Sequence, residues 1–292
     1  MEKRLEEKNL KIAIQKDGRL TDGSLEALRL MGLDLESYSR RLFATCRNFP
    51  VEVLFCRDDD IPGYVQSGIA DIGIVGQNIL KEANVEAKEL IRPGFGYCQI
   101  AVAVPKESKF RTIQDLQGKK IATSFPNITR EYFKKHGVDV EITLIAGAVE
   151  ITPALGVADA ITDISGTGST LLLNDLRRLD TIMETEAVMI ESGKKLSKAK
   201  QELVTQMITR LEGVIAAKSQ KYIMMNAPKT SLEDIKKIAP GLSAPTVMEL
   251  TRPDWVAIHA VMEESTFWEV ANDLKALGAE GILVLPIEKM IA

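Results

Sequence analysis

The sequence predicts an α/β protein in which a two-lobed unit with parallel sheets precedes a C-terminal β-α-β-β-α-β module. Two patterns carry this prediction. Short apolar strands alternate with helical segments through most of the chain, which indicates parallel sheets covered on both faces. From residue 218 onward the order of strands and helices becomes ferredoxin-like. The 292 residues are enough for two or three lobes with cores of their own.

The first lobe begins as an alternation of strands and helices. Apolar runs predict strands at Leu10–Ile14, Val51–Cys56 and Asp71–Val75. Helical spacing predicts helices at Ser24–Met31 and Pro62–Gly68, the second with proline near its first turn. Because ligands bind at the carboxyl edge of such sheets, the loops after the first two strands are expected to contact a ligand.

Two short motifs occur twice in the chain. The repeated strings are Lys11-Ile12-Ala13 with Lys120-Ile121-Ala122, and Gly68-Ile69-Ala70-Asp71 with Gly156-Val157-Ala158-Asp159. Matches this short arise by chance, or they mark two similar α/β lobes that face a cleft.

The second interpretation divides the chain into three parts. Residues 1–105 and 182–217 form the first lobe, residues 106–181 form the second lobe, and residues 218–292 form the C-terminal module. Gln99–Pro105 is then the strand that crosses between the lobes.

The C-terminal module contains four predicted strands and two predicted helices. The strands are Lys221–Asn226, Thr246–Leu250, Trp255–Val261 and Gly281–Pro286. The helices are Ser231–Ile238 and Thr266–Leu277, and Gly278 ends the second. Small modules of this order often sense a ligand, and a purely structural dimerisation unit is the alternative.

The composition excludes several classes of protein. The net charge of −4, without a basic block, argues against a nucleic-acid surface, and no run is long enough to span a membrane. Three scattered cysteines and two histidines give no disulfide or zinc spacing. The charged N-terminal segment has no apolar export signal, so we expect a cytoplasmic location.

A loop rich in glycine and hydroxyl groups is the strongest candidate for a binding site. Ser165-Gly166-Thr167-Gly168-Ser169-Thr170 follows a strand that carries Asp163, and Leu171–Leu179 then runs apolar at helical spacing. Backbone N–H groups, hydroxyls and a helix N-terminus at one point form a cradle for a phosphate. Asp163 can accept hydrogen bonds from sugar hydroxyls. The alternative for the loop alone is a simple turn with a helix cap.

A longer pattern around this loop resembles the signature of the ATP phosphoribosyltransferases. Ten residues fit its spacing: Glu150, Gly156, Ala158, Ile161, Asp163, Ile164, Thr167, Gly168, Thr170 and Leu171. The more widespread phosphoribosyltransferase fingerprint has two adjacent acids, whereas this chain has Thr162-Asp163. The strings QKDGRL and RDDDIPG near the N-terminus, and KYIMMNAP and ILVLPIEKM in the tail, extend the resemblance to the long form of that family.

The resemblance implies a fold and a reaction. It implies a catalytic unit with the type II periplasmic-binding fold and a regulatory, ACT-like tail. The reaction transfers the phosphoribosyl group of 5-phosphoribosyl-1-pyrophosphate to N1 of ATP, with release of pyrophosphate, as the first step of histidine biosynthesis. It further implies Mg²⁺, feedback inhibition by L-histidine, and a homo-oligomer, namely a hexamer built from dimers.

In the second lobe the resemblance assigns the donor site. The backbone and hydroxyls from Ser165 to Thr170, including Gly166, Thr167, Gly168 and Ser169, are expected to hold the 5-phosphate. Asp163 is expected to bind the ribose hydroxyls, with Asp159 as a weaker candidate. Glu150 either binds ribose or magnesium, or caps a helix that begins near Pro153. Magnesium is otherwise expected to arrive with the pyrophosphate.

In the first lobe the candidates follow the strands. Lys16, Gly18, Arg19 and Leu20 lie after the first strand, and the resemblance implies that the last three help to receive the nucleotide. Arg57 follows the second strand and suits pyrophosphate or ATP phosphates, and Asp71 is expected to touch the nucleotide. The run Asp58–Asp60 suggests magnesium, but favourable charge at a helix N-terminus is the preferred interpretation.

In the tail, the loops Gly241–Pro245 and Arg252–Trp255 are the expected inhibitor site, with Ser243 and Thr246 as hydroxyl donors. Two other functions remain open from sequence alone. One is a two-lobed binding protein for a small solute, and the other is a catalytically inactive subunit that senses an amino acid.

Overall fold

The computed structural model describes residues 9–36, 42–166 and 169–291. The described residues up to Val204 form one compact unit, and those from Thr205 onward form a second. Thr167 and Gly168, two predicted phosphate ligands, lie outside the described residues.

The strands, in chain order, are β1 (Leu10–Gln15), β2 (Phe43–Thr45), β3 (Val51–Cys56), β4 (Ile72–Gly76), β5 (Ala87–Ile91), β6 (Cys98–Pro105), β7 (Lys120–Thr123), β8 (Glu141–Leu144), β9 (Ala160–Ser165), β10 (Leu176–Thr185), β11 (Ala187–Ser192), β12 (Gln220–Pro228), β13 (Thr246–Glu249), β14 (Trp255–Glu263) and β15 (Glu280–Pro286). The α-helices are α1 (Thr21–Leu30), α2 (Ile61–Ser67), α3 (Gln77–Ala83), α4 (Pro126–Lys135), α5 (Ser169–Leu173), α6 (Lys198–Ala217), α7 (Leu232–Ile238) and α8 (Glu264–Ala276).

The first unit contains two sheets with the same internal arrangement. In one sheet the strand order is β2-β3-β1-β4-β11-β5, and in the other it is β10-β6-β9-β7-β8. In each sheet, three parallel strands lie side by side, and an antiparallel strand pairs with the third: β11 with β4 in the first sheet and β6 with β9 in the second. This shared order is the type II periplasmic-binding arrangement that the sequence resemblance implies.

The repeated sequence motifs mark equivalent positions in the two sheets. In the first, Asp71 exchanges hydrogen bonds with Lys11: its carboxylate accepts the Lys11 N–H at 2.8 Å, and its own N–H donates to the Lys11 carbonyl at 2.9 Å. In the second, Asp159 makes the same pair of bonds with Lys120, both at 2.9 Å. The interpretation of two similar lobes is therefore confirmed.

The strand pairing places the lobe boundaries differently from the sequence estimate. β6 pairs with β9 and β10, so Cys98–Pro105 belongs to the second sheet rather than to residues 1–105 of the first lobe. The end of β10, residues 182–185, also lies in the second sheet. An apolar run such as IAVAV fits a central strand of either sheet, and only its partners decide which. At the other boundary, α6 continues across the division between the two units.

The segment after the glycine-rich loop is shorter in helix than predicted. α5 ends at Leu173, whereas the sequence indicated helical spacing from Leu171 to Leu179. Asp175 then adopts a left-handed backbone with φ of 52°, and β10 begins at Leu176. Leu176, Leu179 and Ile182 are spaced by three residues, as in a helix, but β10 contains two register shifts that disturb the two-residue period of a regular strand.

A common core and an exposed contact hold the two lobes of the first unit together. Buried Ala13, Val75 and Val188 of the first sheet pack in one cluster with Ile100 of the second sheet and with Ile128 of α4. At the surface, the Glu82 carboxylate of α3 accepts hydrogen bonds from the Asn127 and Ile128 N–H groups, where α4 begins. These contacts fix the cleft between the two sheets.

The second unit has the predicted β-α-β-β-α-β order. Its antiparallel sheet has the order β13-β14-β12-β15, and buried Ile223, Ile258, Phe267 and Leu274 join the sheet to its helices. The ferredoxin-like module is therefore confirmed. Across the described residues of the whole chain, every helix is too short or too polar to cross a membrane.

Candidate active site

A cavity of about 360 Å³ lies at the carboxyl edge of the first sheet. It brings together Lys16, which follows β1, and Arg57, which follows β3. The aromatic side chains of Phe43 and Tyr64 also line it. The Arg57 side chain is 80% exposed and lies 3.8 Å from the Asp59 carboxylate. Two cations beside aromatic walls suit a nucleotide with its phosphates.

The acidic run after Arg57 is a structural element. Asp58–Asp60 forms one 3₁₀ turn immediately before α2, where negative charge is favourable against the helix dipole. Burial, and then the charge of Asp58, raise the pKa of Asp59, which Arg57 partly offsets. Three or more metal-binding side chains do not meet anywhere in the described parts of the chain.

The loop after β1 is fixed from inside the protein. The buried Gln15 side chain accepts the Leu20 N–H at 2.8 Å. Gly18 has φ of +148°, and a Cβ there would lie 2.4 Å from the Gln15 amide nitrogen, so glycine is required. Leu20 is itself buried and packs against Gly96. The predicted contact between Leu20 and the nucleotide is therefore wrong, because the Leu20 N–H binds Gln15 and its side chain is buried.

Arg19 lies at the connection between the lobes. Its guanidinium donates to the Gly96 carbonyl at 2.6 Å, just before β6 leaves for the second sheet. Its positive charge faces Cys98, where it opposes the rise in the thiol pKa that burial causes. Because that pKa remains raised, the thiol stays protonated at neutral pH and is a poor nucleophile.

A second cavity, of about 500 Å³, lies between the two sheets. Gly166 enters it from the second lobe, and Gln77 enters it from the first. Its remaining lining residues are Arg92, Tyr97, Cys98, Gln99, Glu184, Thr185 and Glu186. Gly166 of the glycine-rich loop therefore faces the inter-lobe cleft, as a phosphate cradle requires.

Asp163 is a partly buried carboxylate on β9, two residues before the loop. Burial raises its pKa to about 6, the Ile164 N–H opposes this with a hydrogen bond, and the nearby charge of Glu150 adds to it. The structure thus brings Asp163 and Glu150 together. Glu150 lies in a 3₁₀ turn, Val149–Ile151, and turns rather than a helix follow it through Pro153, so its capping role is excluded.

The described residues of the glycine-rich loop differ in accessibility. Ser165 is buried, and its hydroxyl accepts a hydrogen bond from Arg178 at 3.1 Å. The Ser165 hydroxyl is therefore engaged within the protein. By contrast, Gly166 is exposed, and so is Thr170 of α5. Ser169 begins α5, and its side chain lies outside the described atoms.

Two predicted ligands lie at the wrong edge of their sheets. Asp71 precedes β4 and Asp159 precedes β9, so both lie at the amino edge, opposite the loops that carry Lys16 and Gly166. Asp71 also accepts two hydrogen bonds from Lys200 at 2.7 and 2.9 Å. The predicted ligand roles of Asp71 and Asp159 are therefore wrong, and both carboxylates instead stabilise the sheets through hydrogen bonds to the backbone.

We expect Asp71→Ala to reduce stability without changing substrate KM values. The Asp71 and Lys200 side chains are 9% and 17% exposed, so the change leaves a largely buried ammonium unpaired. Breaking such a pair costs about 3–5 kcal/mol. Thermal unfolding checks the loss, and Asp71→Ala with Lys200→Met should recover part of it. A raised KM for ATP at an unchanged melting temperature would instead show that Asp71 contributes to substrate binding.

The cleft contains residues that the sequence did not single out. Glu184 and Thr185 of β10 line its cavity, and Arg178 lies on the same strand, the first residues of which the sequence predicts as helix. Arg178 also donates to the Gln99 side chain at 2.7 Å, and Gln99 in turn donates to Glu184 at 3.3 Å. The sequence of β10, LRRLDTIMET, has no regular alternation of charged and apolar residues, because two register shifts interrupt the strand, so it gave no local signal for these residues.

The predicted inhibitor loops lie in the second unit. Ser243 is exposed in the loop before β13, and Thr246 is exposed at the start of β13, opposite His259 of β14. In the other loop, the Arg252 guanidinium stacks over the Trp255 ring at 3.6 Å from its centroid. The structure leaves both hydroxyl-bearing residues accessible to a ligand.

Comparison with known proteins identifies the chain. Residues 57–213 match the family model described as ATP phosphoribosyltransferase, and residues 217–289 match the one described as HisG, C-terminal domain. The ATP phosphoribosyltransferase of Bacteroides fragilis strain NCTC 9343 is 46% identical over 97% of this chain and 99% of its own length. That of Cytophaga hutchinsonii is 42% identical over 97% and 98%.

A solved structure agrees. A chain of the ATP phosphoribosyl transferase (HisG:HisZ) complex from Thermotoga maritima superposes with a TM-score of 0.60 at 29% identity, over 69% of this chain and 95% of that one. The match to both family models and to full-length relatives means that the chain belongs to the ATP phosphoribosyltransferases, the pentosyltransferases that catalyse the first step of histidine biosynthesis.

Proposed function

We propose that this chain transfers the phosphoribosyl group of 5-phosphoribosyl-1-pyrophosphate to N1 of ATP at the cleft between its lobes. In this reaction adenine N1 attacks the anomeric carbon, a carbon–nitrogen bond forms, and the bond to the pyrophosphate oxygen breaks. One observation carries the proposal. β9 carries a partly buried carboxylate, Asp163, and ends directly before Gly166, an exposed glycine that lines the inter-lobe cavity.

The second lobe is proposed to hold the sugar donor. The 5-phosphate binds the loop from Gly166 to Thr170, whose backbone N–H groups and hydroxyls supply donors. The ionised Asp163 carboxylate accepts hydrogen bonds from the ribose hydroxyls. Because these bonds orient the anomeric carbon toward the first lobe, they lower the entropic part of the barrier.

The first lobe is proposed to hold ATP. Lys16 and Arg57 share one cavity and attract the triphosphate, while Phe43 and Tyr64 provide apolar surface for the base. Arg19, held at the connection between the lobes, adds positive potential near the place where pyrophosphate departs.

Magnesium is proposed as the cofactor. The charge of Glu150 contributes to the raised pKa of Asp163, and carboxylate oxygens such as those of these two residues are ligands that Mg²⁺ accepts. Because the described residues contain no group of three metal-binding side chains, the ion is expected to enter with the pyrophosphate. When bound, it neutralises the negative charge that grows on the leaving group.

The assay that tests this proposal measures pyrophosphate release. We expect release only when the protein, ATP, the sugar donor and Mg²⁺ are all present, and its loss on addition of EDTA. A solute-binding protein, or an inactive sensory subunit, would bind one component without releasing pyrophosphate. Binding without release by a pure, folded sample would therefore refute the proposal.

The tail is proposed to regulate the enzyme. We expect L-histidine to bind the second unit and to inhibit without competing with the sugar donor, because its proposed site is separate from the donor site. Such an effector inhibits only if it binds one conformational state of the enzyme more tightly than another. Calorimetric titration of the intact enzyme measures the binding. Ser243→Ala and Thr246→Val should weaken it by about 1 kcal/mol each. No heat of binding, together with full activity at millimolar histidine, would leave the tail as a structural unit.

The proposed assembly and location follow the family resemblance. We infer a homo-oligomer, a hexamer built from dimers, in the cytoplasm. Exposed apolar side chains on β15 and α8 of the second unit, Leu283, Leu285 and Trp268, provide surface for association.

A further inference from the structure

Arg178 links two strands at the entrance to the glycine-rich loop. It lies on β10, at an edge of the second sheet. Its guanidinium donates to the Gln99 side chain of β6 at 2.7 Å and to the Ser165 hydroxyl of β9 at 3.1 Å. Ser165 is 4% exposed and directly precedes Gly166, so Arg178 anchors the residue next to the exposed glycine of the loop.

The strand register explains how Arg178 reaches this position. Arg178 is paired with Ala103, and three further pairs continue toward the cleft: Ala103 with Ile161, Ala101 with Asp163, and Gln99 with Ser165. Paired residues in an antiparallel sheet lie on the same face. Arg178 and Asp163 therefore share a face, and the small, buried Ala101 and Ala103 leave room for a long side chain to extend along it.

Arg178 makes no salt bridge within the part of the chain that the structure describes. Both of its hydrogen-bond acceptors are uncharged. By contrast, Arg57 lies near Asp59, and Arg92 lies near Glu186. A guanidinium with neutral partners beside a phosphate loop retains its attraction for an anion.

We propose that Arg178 is a positioning residue for the sugar donor, which it serves by fixing Ser165 and by adding positive potential to the 5-phosphate site. This inference rests on the proposed function. It deepens that function by naming a side chain outside the glycine-rich loop that selects the phosphorylated end of the donor.

The test compares Arg178→Met with a neighbour on the same strand. We expect Arg178→Met to raise the donor KM about tenfold, the effect of losing a hydrogen bond to a charged group, with the ATP KM unchanged. Arg177→Met is the matched control, because the Arg177 guanidinium donates to the Phe110 carbonyl instead. It should leave the donor KM unchanged. Arg178→Lys, which keeps the charge, should recover part of the loss.

Two further readouts separate positioning from a structural role. Titration with ribose 5-phosphate, which lacks pyrophosphate, should show the same loss of affinity in Arg178→Met, and salt should weaken binding less in the variant than in the parent. Combining Arg178→Met with Ser165→Ala should give less than the sum of the two effects. If Arg178→Met does not fold, the inference is tested with Arg178→Lys and with the parent protein. Arg178→Lys should bind ribose 5-phosphate more weakly than the parent, and salt should weaken binding of ribose 5-phosphate to the parent.

The outcomes distinguish this inference from the proposed function. An active parent enzyme whose Arg178→Met variant keeps its donor KM and its affinity for ribose 5-phosphate overturns the inference alone. A parent without transfer activity refutes the function, whatever Arg178 does.

Discussion

Asp163→Asn is expected to remove most of the transfer activity while making the protein more stable at neutral pH. The carboxylate is proposed to bind the ribose hydroxyls, and its loss should reduce kcat/KM about a hundredfold, the effect of about 2.7 kcal/mol in the transition state. The gain in stability has a separate cause. Burial raises the pKa of Asp163 from 3.8 to about 6, so ionising this side chain disfavours the folded state.

The sign of this effect sets a pH window. Because the pKa is higher in the folded protein than in the unfolded chain, the penalty is fully present above about pH 6 and disappears as pH falls toward 3.8. Asparagine carries no such penalty, so the variant should be more stable by about 2–3 kcal/mol at pH 8 and by little near pH 4.

Thermal unfolding between pH 4 and pH 8, beside steady-state kinetics, measures both effects. Asp159→Asn is the matched control, since it changes the same group at the other end of β9. It should leave kcat/KM unchanged and give no gain in stability. An Asp163→Asn enzyme with near-parental kcat/KM, or with parental stability at pH 8, contradicts the role given to this residue.

Gly166→Ala is expected to raise the donor KM about 10- to 100-fold in a protein that folds normally, which corresponds to about 1.4–2.8 kcal/mol. Among the described residues, a Cβ at Gly166 meets no atom within 4 Å, so we expect the substitution to fit the free protein. The added methyl group, however, occupies the side from which a phosphate approaches the backbone N–H groups. The ATP KM should remain unchanged.

Gly193→Ala is the control for this substitution. Gly193 also has open space for a Cβ and an ordinary φ, and it follows β11 at the edge of the first sheet away from the cleft. Each alanine should keep or slightly raise the melting temperature, because it restricts the unfolded chain. If Gly166→Ala leaves the donor KM unchanged, the phosphate does not bind this loop.

The sequence predicted well those features that are local. The strands Leu10–Gln15 and Val51–Cys56 read clearly because parallel strands are apolar on both faces. The order of elements in the tail was equally legible, since helix and strand periods alternate there with glycine and proline between them. Asp163 and Gly166 could be proposed from the sequence because a strand and the loop after it are adjacent in sequence as well as in space.

Features that depend on long-range pairing were not predictable in this way. Asp71 and Asp159 looked like ligands because they begin apolar strands, yet each binds the backbone of another strand at the amino edge. Leu20 resembled a contact residue until its burial against Gly96 was visible. Arg178 reaches Ser165 only because β6 lies between β9 and β10, which no local pattern reveals.

The most direct test of this account is the structure of the reaction product. The protein, with ATP, 5-phosphoribosyl-1-pyrophosphate and Mg²⁺, should form one molecule of product for each pyrophosphate released. NMR correlation from the ribose anomeric proton to the adenine carbons beside N1 identifies the new bond. We expect that bond at N1, and we expect Gly166→Ala to slow its formation at limiting donor. Pyrophosphate release without a bond at N1, or no product at saturating substrates, would contradict the account.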